Sequence, residues 1–174
     1  MRITHLWEAR NADRVVDPHS VRRVLLASEG RQFSDAAVDL AATLAERRAG
    51  RVRVVTIARL WGSGLGLPYP GLRPNKHEMT EHEENIAAAI RRLRRMGVHA
   101  DGHIITTRRP CASILHEAKR QNSGVIVMAA DPRHVWLIRD FMWSQEPYRI
   151  QRRAAVPVRL VVESASCDTP AAMS

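Results

Sequence analysis

The segment from residue 61 to residue 75 carries the residue types of an anion-binding loop. Glycine stands at alternate positions, Gly62, Gly64 and Gly66, and Arg73 follows in a proline-rich stretch. Glycine lets backbone N–H groups approach a phosphate without a Cβ in the way, and arginine adds a charged fork of donors. The segment is therefore predicted to contact an anionic ligand, although a rigid lid packed over the edge of a sheet would have the same composition.

A second candidate site lies in the aromatic-rich stretch FMWSQEPY, residues 141–148. A flat ring such as adenine could stack on Trp143. The alternative is that Met142, Trp143 and their neighbours fill the space where a ligand would lie and seal it.

No catalytic constellation is present in the sequence, which contains neither a nucleophile elbow nor a Walker loop. Cys111 and Cys167 lie far apart without clustered histidines, which argues against a disulfide scaffold and a zinc site. Cys111 follows Arg108 and Arg109 at a predicted helix start, a context that can lower a thiol pKa. We nevertheless expect a non-enzymatic protein without a metal.

The charge balance suggests nucleic acid, since 27 basic residues face 18 acidic ones and the net charge is +9. Lys76 and Lys119 are the two lysines, so 27 minus 2 leaves 25 arginines, scattered along the chain in pairs. No run interleaves them with aromatic residues as a base-stacking surface would. The excess charge is therefore interpreted as the bias of a GC-rich genome, and nucleic acid is not an expected partner.

Turn signals and apolar periodicity divide the chain into alternating strands and helices. The predicted strands cover residues 21–27, 52–58, 103–107, 125–128 and 156–162. The first predicted helix has Ser34 as its N-cap and Gly50 as its stop. The second begins at a capping box of Thr80 and Glu83 and stops at Gly97. The third and fourth cover residues 110–120 and 145–153, the fourth with Ser144 as its cap.

This alternation predicts right-handed βαβ units and a Rossmann-like α/β fold: a five-stranded parallel sheet with helices on both faces. Ligands of such sheets bind at the carboxyl ends of the strands, where the strand order reverses. The domain is predicted to cover residues 21–163, after an N-terminal extension (1–20) and before a flexible tail (164–174). The sequence lacks a membrane-spanning run and a signal peptide, so we expect a cytoplasmic protein.

Four segments of this pattern resemble the universal stress protein family. They are VLLASEG with the helix beginning SDAAVDLA, the second strand with its long loop, ILHEAKRQNSGVIVMAAD, and RRAAVPVRLVV. The resemblance covers about residues 21–162, four-fifths of the chain. It implies a nucleotide-binding α/β domain in which the signature G-x-x-G-x9-G-[ST], after the fourth strand, holds the phosphates of ATP.

The chain departs from that signature at each glycine. Ala129 stands at the first position, Pro132 at the second, and Met142 or Trp143 at the third. Proline has no amide hydrogen to donate to a phosphate. The acidic residue after the first strand, usually aspartate in the family, is Glu29 here. The resemblance thus implies a member that does not bind ATP in the usual way.

Such a member is expected to be a dimeric regulatory module, pairing through the last strand, residues 156–162. We expect it to sense an adenine nucleotide such as cyclic AMP or cyclic di-AMP. The alternatives are a protein-interaction subunit of a transporter or signalling protein and, less favoured, an ATP-binding stress protein. The predicted ligand-binding residues are Ala27, Ser28, Glu29, Arg31, Ile57, Ala58, Gly62, Gly64, Gly66, Arg73, Met128, Ala129, Asp131, Arg133, Met142, Trp143, Ser144 and Gln145.

Overall fold

The structure is a computed structural model that describes residues 23–46, 50–60, 74–130 and 146–162. Within those ranges strands and helices alternate along the chain. The strands are β1 (Arg23–Ser28), β2 (Arg51–Arg59), β3 (His99–Thr107), β4 (Val125–Ala130) and β5 (Val158–Val162). The helices are α1 (Asp35–Glu46), α2 (Lys76–Arg95), α3 (Pro110–Arg120) and α4 (Glu146–Arg153).

The strands form one parallel sheet in the order β3-β2-β1-β4-β5. The central strand β1 pairs with β2 on one side and with β4 on the other. The chain therefore builds outward from β1 in one direction, then returns across it and builds outward in the other. The predicted five-stranded parallel sheet is confirmed.

Buried apolar side chains alternate between the two faces of the sheet, as the period of two in a strand requires. On one face Val24 and Leu26 of β1 pack with the apolar sides of α1 and α2. On the other face Leu25 and Ala27 pack with those of α3 and α4. Helices thus cover both faces, as predicted, and the domain has three layers.

The helix ends follow the local signals of the sequence at most positions. Ser34 caps α1, because its Oγ accepts a hydrogen bond from the N–H of Ala37 at 3.2 Å. Gly50 donates its N–H to the carbonyl of Ala45 at 3.0 Å and so closes the end of that helix. Proline occupies the first turn of α3, where its missing N–H is not needed.

The predicted start of α2 is wrong. The helix begins at Lys76, with Asn75 as its N-cap. Asn75 Oδ1 accepts from the N–H of Glu78 at 2.8 Å, and Glu78 Oε2 accepts from the N–H of Asn75 at 3.0 Å. Thr80 lies inside the helix and donates its hydroxyl to the carbonyl of Lys76. The capping box is therefore Asn75–Glu78, five residues ahead of the predicted one.

The starts of β3 and β5 also differ from the prediction. β3 begins at His99 rather than at residue 103, because its first four residues pair with β2 although His99 and Asp101 are exposed. β5 begins at Val158 rather than at residue 156. Pro157 has no N–H for a ladder, but its carbonyl accepts from the N–H of Ile126 at 3.0 Å and so aligns β5 with β4.

Ionic contacts lie on both faces of the sheet. On one face Arg92 of α2 donates two hydrogen bonds to the Asp39 carboxylate of α1, at 2.7 and 2.8 Å. On the other face the Glu117 carboxylate of α3 is buried, with 4% of its side chain exposed. Glu117 accepts two hydrogen bonds from Arg120, both at 2.8 Å, and one from Gln121 at 3.1 Å. A buried carboxylate needs such donors, because they replace the water it has lost.

Candidate functional site

The carboxyl ends of β1 and β4 lie side by side at the point where the strand order reverses. Ala27 is the register partner of Met128 across the two strands. The helix that follows β1, α1, packs on one face of the sheet and the helix that follows β4, α4, packs on the other, so a crevice opens between them. This is the place at which the sequence predicted a ligand.

The turn after β1 has a fixed shape. Ser28 donates its hydroxyl to the carbonyl of Arg31 at 2.6 Å and so closes the turn. Gly30 has a φ of +102°, a backbone conformation that residues with a side chain rarely adopt. Ser34 then caps α1. The hydrogen bonds made by Ser28 and Ser34 thus hold the polar groups of this turn in position at the mouth of the crevice.

The crevice holds a cavity with an empty volume of about 390 Å³, its open mouth included. Six of the predicted ligand-binding residues line it, three from β1 and its turn, one from the turn beyond, and two from β4. They are Ala27, Ser28, Glu29, Arg31, Met128 and Ala129. The cavity therefore combines apolar walls from the strands with hydroxyl, carboxylate and guanidinium groups from the β1–α1 turn.

Glu29 is buried at this site, with 6% of its side chain exposed. Arg59, the last residue of β2, brings its Nη2 to 4.0 Å from Glu29 Oε2. The cation partly compensates the charge of the carboxylate. Arg59 was not among the predicted site residues, although it directly follows Ala58, which was.

Ile57 and Ala58 stand at the carboxyl end of β2, but both are fully buried and neither lines the cavity. What β2 offers at this edge is main chain, and the carbonyl of Ile57 faces the turn at Gly30. The prediction that these two residues contact a ligand stays a prediction, and it would concern their main chain rather than their side chains.

The other predicted ligand-binding residues lie outside the described part of the chain. They are Gly62, Gly64, Gly66, Arg73, Asp131, Arg133, Met142, Trp143, Ser144 and Gln145. The roles proposed for them from the sequence, as an anion-binding loop and a stacking surface, stay predictions.

Five cavity residues were missed by the sequence reading: Gln32, Phe33, Ser34, Ala37 and Pro147. Four of them belong to the turn after β1 and the first turns of α1, which return across the carboxyl edge. Their signal was their position directly after Arg31. Pro147 comes from the first turn of α4, and no sequence feature connected it with β1.

Cys111 does not have the properties of a reactive thiol. It is buried, and burial, together with the nearby Glu146 carboxylate, raises the pKa of its thiol. The lowered pKa considered from its position beside two arginines is therefore wrong. Arg108 and Arg109 are exposed after β3, two strands away from β1, and do not line the cavity.

Across the described ranges, no group of three His, Cys, Asp or Glu side chains is arranged to hold a metal ion. Among the helices described, none has the length and apolar character required to cross a membrane.

A parallel sheet covered on both faces, with a crevice at its strand-order reversal, places the domain in the doubly wound α/β class. The sequence profile of the universal stress protein family matches residues 20–161. The chain belongs to this family. The sequence matches no protein of curated function at a significant level.

Solved structures share the fold at low sequence identity. A universal stress family protein from Burkholderia pseudomallei has a TM-score of 0.58 and 21% identity, covering 81% of this chain and 96% of its own. The universal stress protein of Archaeoglobus fulgidus in complex with dAMP has a TM-score of 0.58 and 22% identity, covering 79% of this chain and 95% of its own. A universal stress protein in complex with cAMP has a TM-score of 0.57 and 18% identity, covering 83% of this chain and 98% of its own.

Proposed function

We propose that this protein is a non-enzymatic regulatory module that binds an adenine mononucleotide, such as cyclic AMP, in the crevice between β1 and β4. The observation that carries the proposal is the cavity at the strand-order reversal, with apolar walls and a polar turn at its mouth. Apolar walls suit a base, while hydroxyl, carboxylate and guanidinium groups suit a ribose and a phosphate. Two proteins of the same fold were solved with dAMP and with cAMP.

We favour a mononucleotide over cyclic di-AMP because two proteins of the same fold were solved with dAMP and with cAMP. Ala129 disfavours a triphosphate, because its Cβ stands on the wall where the family signature has a glycine. One phosphate can instead be met by Arg31 at the mouth of the cavity.

Glu29 is the proposed selector for the ribose. Its carboxylate lies on the cavity wall, close to Arg59, and carboxylate oxygens accept hydrogen bonds from sugar hydroxyls. The position of Arg59 reduces the cost of keeping this acid buried.

Calorimetric titration of nucleotide-free protein with cyclic AMP, AMP, ATP and cyclic di-AMP tests the proposal. We expect binding of a mononucleotide, and its loss in Ala129→Leu, which places a larger side chain at the cavity wall. Ala112→Leu, at an exposed position of α3, is the matched control and should bind as the parent does. Binding by none of the four nucleotides would refute the sensor and favour the protein-interaction module.

The proposal includes pairing of two copies through β5. This strand stands at one edge of the sheet, and Val162 is 48% exposed there. An apolar edge strand offers unpaired backbone groups to a second strand. Sedimentation should find a dimer that Val162→Lys weakens, whereas Thr106→Lys, the same charge at an exposed position of β3, leaves it intact. A monomeric parent protein would refute the pairing.

A further inference from the structure

A second cleft opens at the opposite edge of the sheet, where the strands begin. Its empty volume is about 1090 Å³, mouth included, and the residues that line it are polar or charged apart from Val24. Arg23, Arg51 and Arg53 supply its positive charge, and Asp101, Gln121 and Ser123 also line it. The cleft is separate from the nucleotide cavity, because β1 runs from Arg23 in the cleft to Ser28 at the cavity.

The register of the sheet explains why three arginines meet there. Arg23 and Arg51 are partners across the first rung of β1 and β2, and neighbouring strands lie about 4.8 Å apart. Arg53 lies two residues beyond Arg51, so both side chains project from the same face of β2. That face also carries Val55 and Ile57, which pack with α3 and α4. The cleft thus lies between the first rungs of the sheet and the end of α3.

Two of the three guanidinium groups are already held in position. Arg23 donates to the carbonyl of Gln121 at 3.0 Å. Arg53 forms an ion pair with Asp101 at 2.9 Å, and its Nε lies 3.7 Å from the buried Glu117 carboxylate. These contacts fix the side chains without using all five donors that each arginine carries. A ligand would therefore find much of the arrangement preformed.

Arg51 differs from the other two. Its side chain is exposed and has no ion-pair or hydrogen-bond partner within the part of the chain that the structure describes. Three arginines and one aspartate leave the wall of the cleft with a net charge of +2. The nearby Glu117 adds little to this balance, because Arg120 binds both of its oxygens.

We propose that this cleft is a binding site for an oligophosphate anion, held by Arg23, Arg51 and Arg53. Guanidinium groups match the geometry of phosphate oxygens, and a chain of phosphoryl groups can engage neighbouring arginines together. The volume of the cleft admits such a chain, and its polar walls disfavour an apolar ligand. Inorganic polyphosphate and the phosphate tail of a nucleotide share this chemistry.

Titration with inorganic triphosphate at low salt tests the proposal, followed by calorimetry and by backbone amide NMR shifts. We expect shifts at residues 23, 51 and 123, and binding weakened about tenfold in Arg51→Gln, the loss of one charge-assisted hydrogen bond. Arg91→Gln removes the same charge from an exposed position of α2 and should bind as the parent does. Because Arg51 has no described partner, its replacement should leave the fold intact.

Four results would overturn the proposal. The first is an absence of triphosphate binding, and the second is equal weakening by Arg51→Gln and Arg91→Gln, which would show attraction to the overall charge of +9. The third is equally tight binding of citrate, which would show no preference for phosphate. A parallel titration with ATP distinguishes the two sources. If ATP shifts the same amides as triphosphate and binds as tightly, the cleft accepts the phosphate tail of a nucleotide. Weaker binding of ATP than of triphosphate assigns the cleft to inorganic polyphosphate. Shifts confined to residues 28–31 would place the anion in the nucleotide cavity and also refute the second site.

Discussion

Gly30 and Ile57 approach each other so closely that a Cβ on residue 30 would lie 2.9 Å from the carbonyl oxygen of Ile57. The same Cβ would lie 3.3 Å from Cε1 of His82 on α2. The turn after β1 is thus held between the end of β2 and the side of α2. The shape of the candidate site depends on the absence of a side chain at this position.

Gly30→Ala should therefore destabilise the protein by about 2–3 kcal/mol, from both the crowding and the left-handed backbone. Gly97→Ala is the matched control, since Gly97 also has positive φ, at +79°, but a Cβ there would meet no atom within 4 Å. It should cost about 1 kcal/mol, from the backbone alone. Urea unfolding measures both, and equal losses would show that the contact with Ile57 has no effect.

Asn75→Ala should reduce the free energy of unfolding by about 1 kcal/mol, because it removes half of the capping box of α2. Thr80→Ala should change it by less than about 0.5 kcal/mol, because the Thr80 hydroxyl bonds a carbonyl inside the helix. Urea unfolding of the two variants distinguishes the observed helix start from the one predicted by sequence. A larger loss in Thr80→Ala would contradict the observed start.

Thr56→Val should leave the protein as stable as its parent or raise its free energy of unfolding by about 1 kcal/mol. Thr56 is fully buried, and its hydroxyl has no hydrogen-bond partner in the described part of the chain. Thr107→Val is the contrasting variant, because Thr107 Oγ1 accepts from Ser113 Oγ at 3.0 Å and from the N–H of Arg109 at 3.1 Å. It should lose about 1 kcal/mol in thermal or urea unfolding. A comparable loss in Thr56→Val would show that its hydroxyl has a partner after all.

Glu117→Gln should destabilise the protein by about 1–3 kcal/mol at pH 7, because the hydrogen-bonded charge is lost. Burial acts to raise the pKa of Glu117, but hydrogen bonds from Arg120 and Gln121 and the nearby His103 outweigh it and hold the pKa below its ordinary value. Arg53 also faces the carboxylate, at 3.7 Å. A lowered carboxyl pKa stabilises the fold above the unfolded-state value, and this contribution is lost as pH falls through the native value.

The difference in stability between the parent and Glu117→Gln should therefore shrink as pH falls below about 4.3, the ordinary glutamate pKa. Urea unfolding at a series of pH values below 5 measures this difference. Glu84→Gln, at an exposed position of α2, should follow the parent at every pH. A constant gap between parent and Glu117→Gln would refute the role of the Glu117 charge.

The sequence predicts an element well where its signals agree. α3 has the predicted bounds, because Pro110 can start a helix and Asn122, with φ 49°, can end one. The start of α2 was misplaced because two capping patterns, at Asn75 and at Thr80, follow each other within one turn and a half. Periodicity alone does not show which cap the chain adopts.

The sequence located cavity-lining residues where strand ends determine their position. Ala27 to Glu29 and Met128 with Ala129 were found because they directly follow the apolar cores of two strands. Pro147 was missed because its approach to β1 depends on how α4 packs, which a linear pattern does not contain. The arginines of the second cleft were missed for the same reason, since Arg23 and Arg51 are brought together by the register of β1 and β2.

The two edges of the sheet have different characters. β3 begins with the polar, exposed His99 and Asp101, whereas β5 ends with the exposed Val162. A protein with one receptive edge can pair with a second copy in a closed, two-fold arrangement, and each copy then covers the receptive edge of the other. Growth into a fibre would require both edges to accept a strand, so unlike edges of this kind favour the proposed closed pair over a fibre.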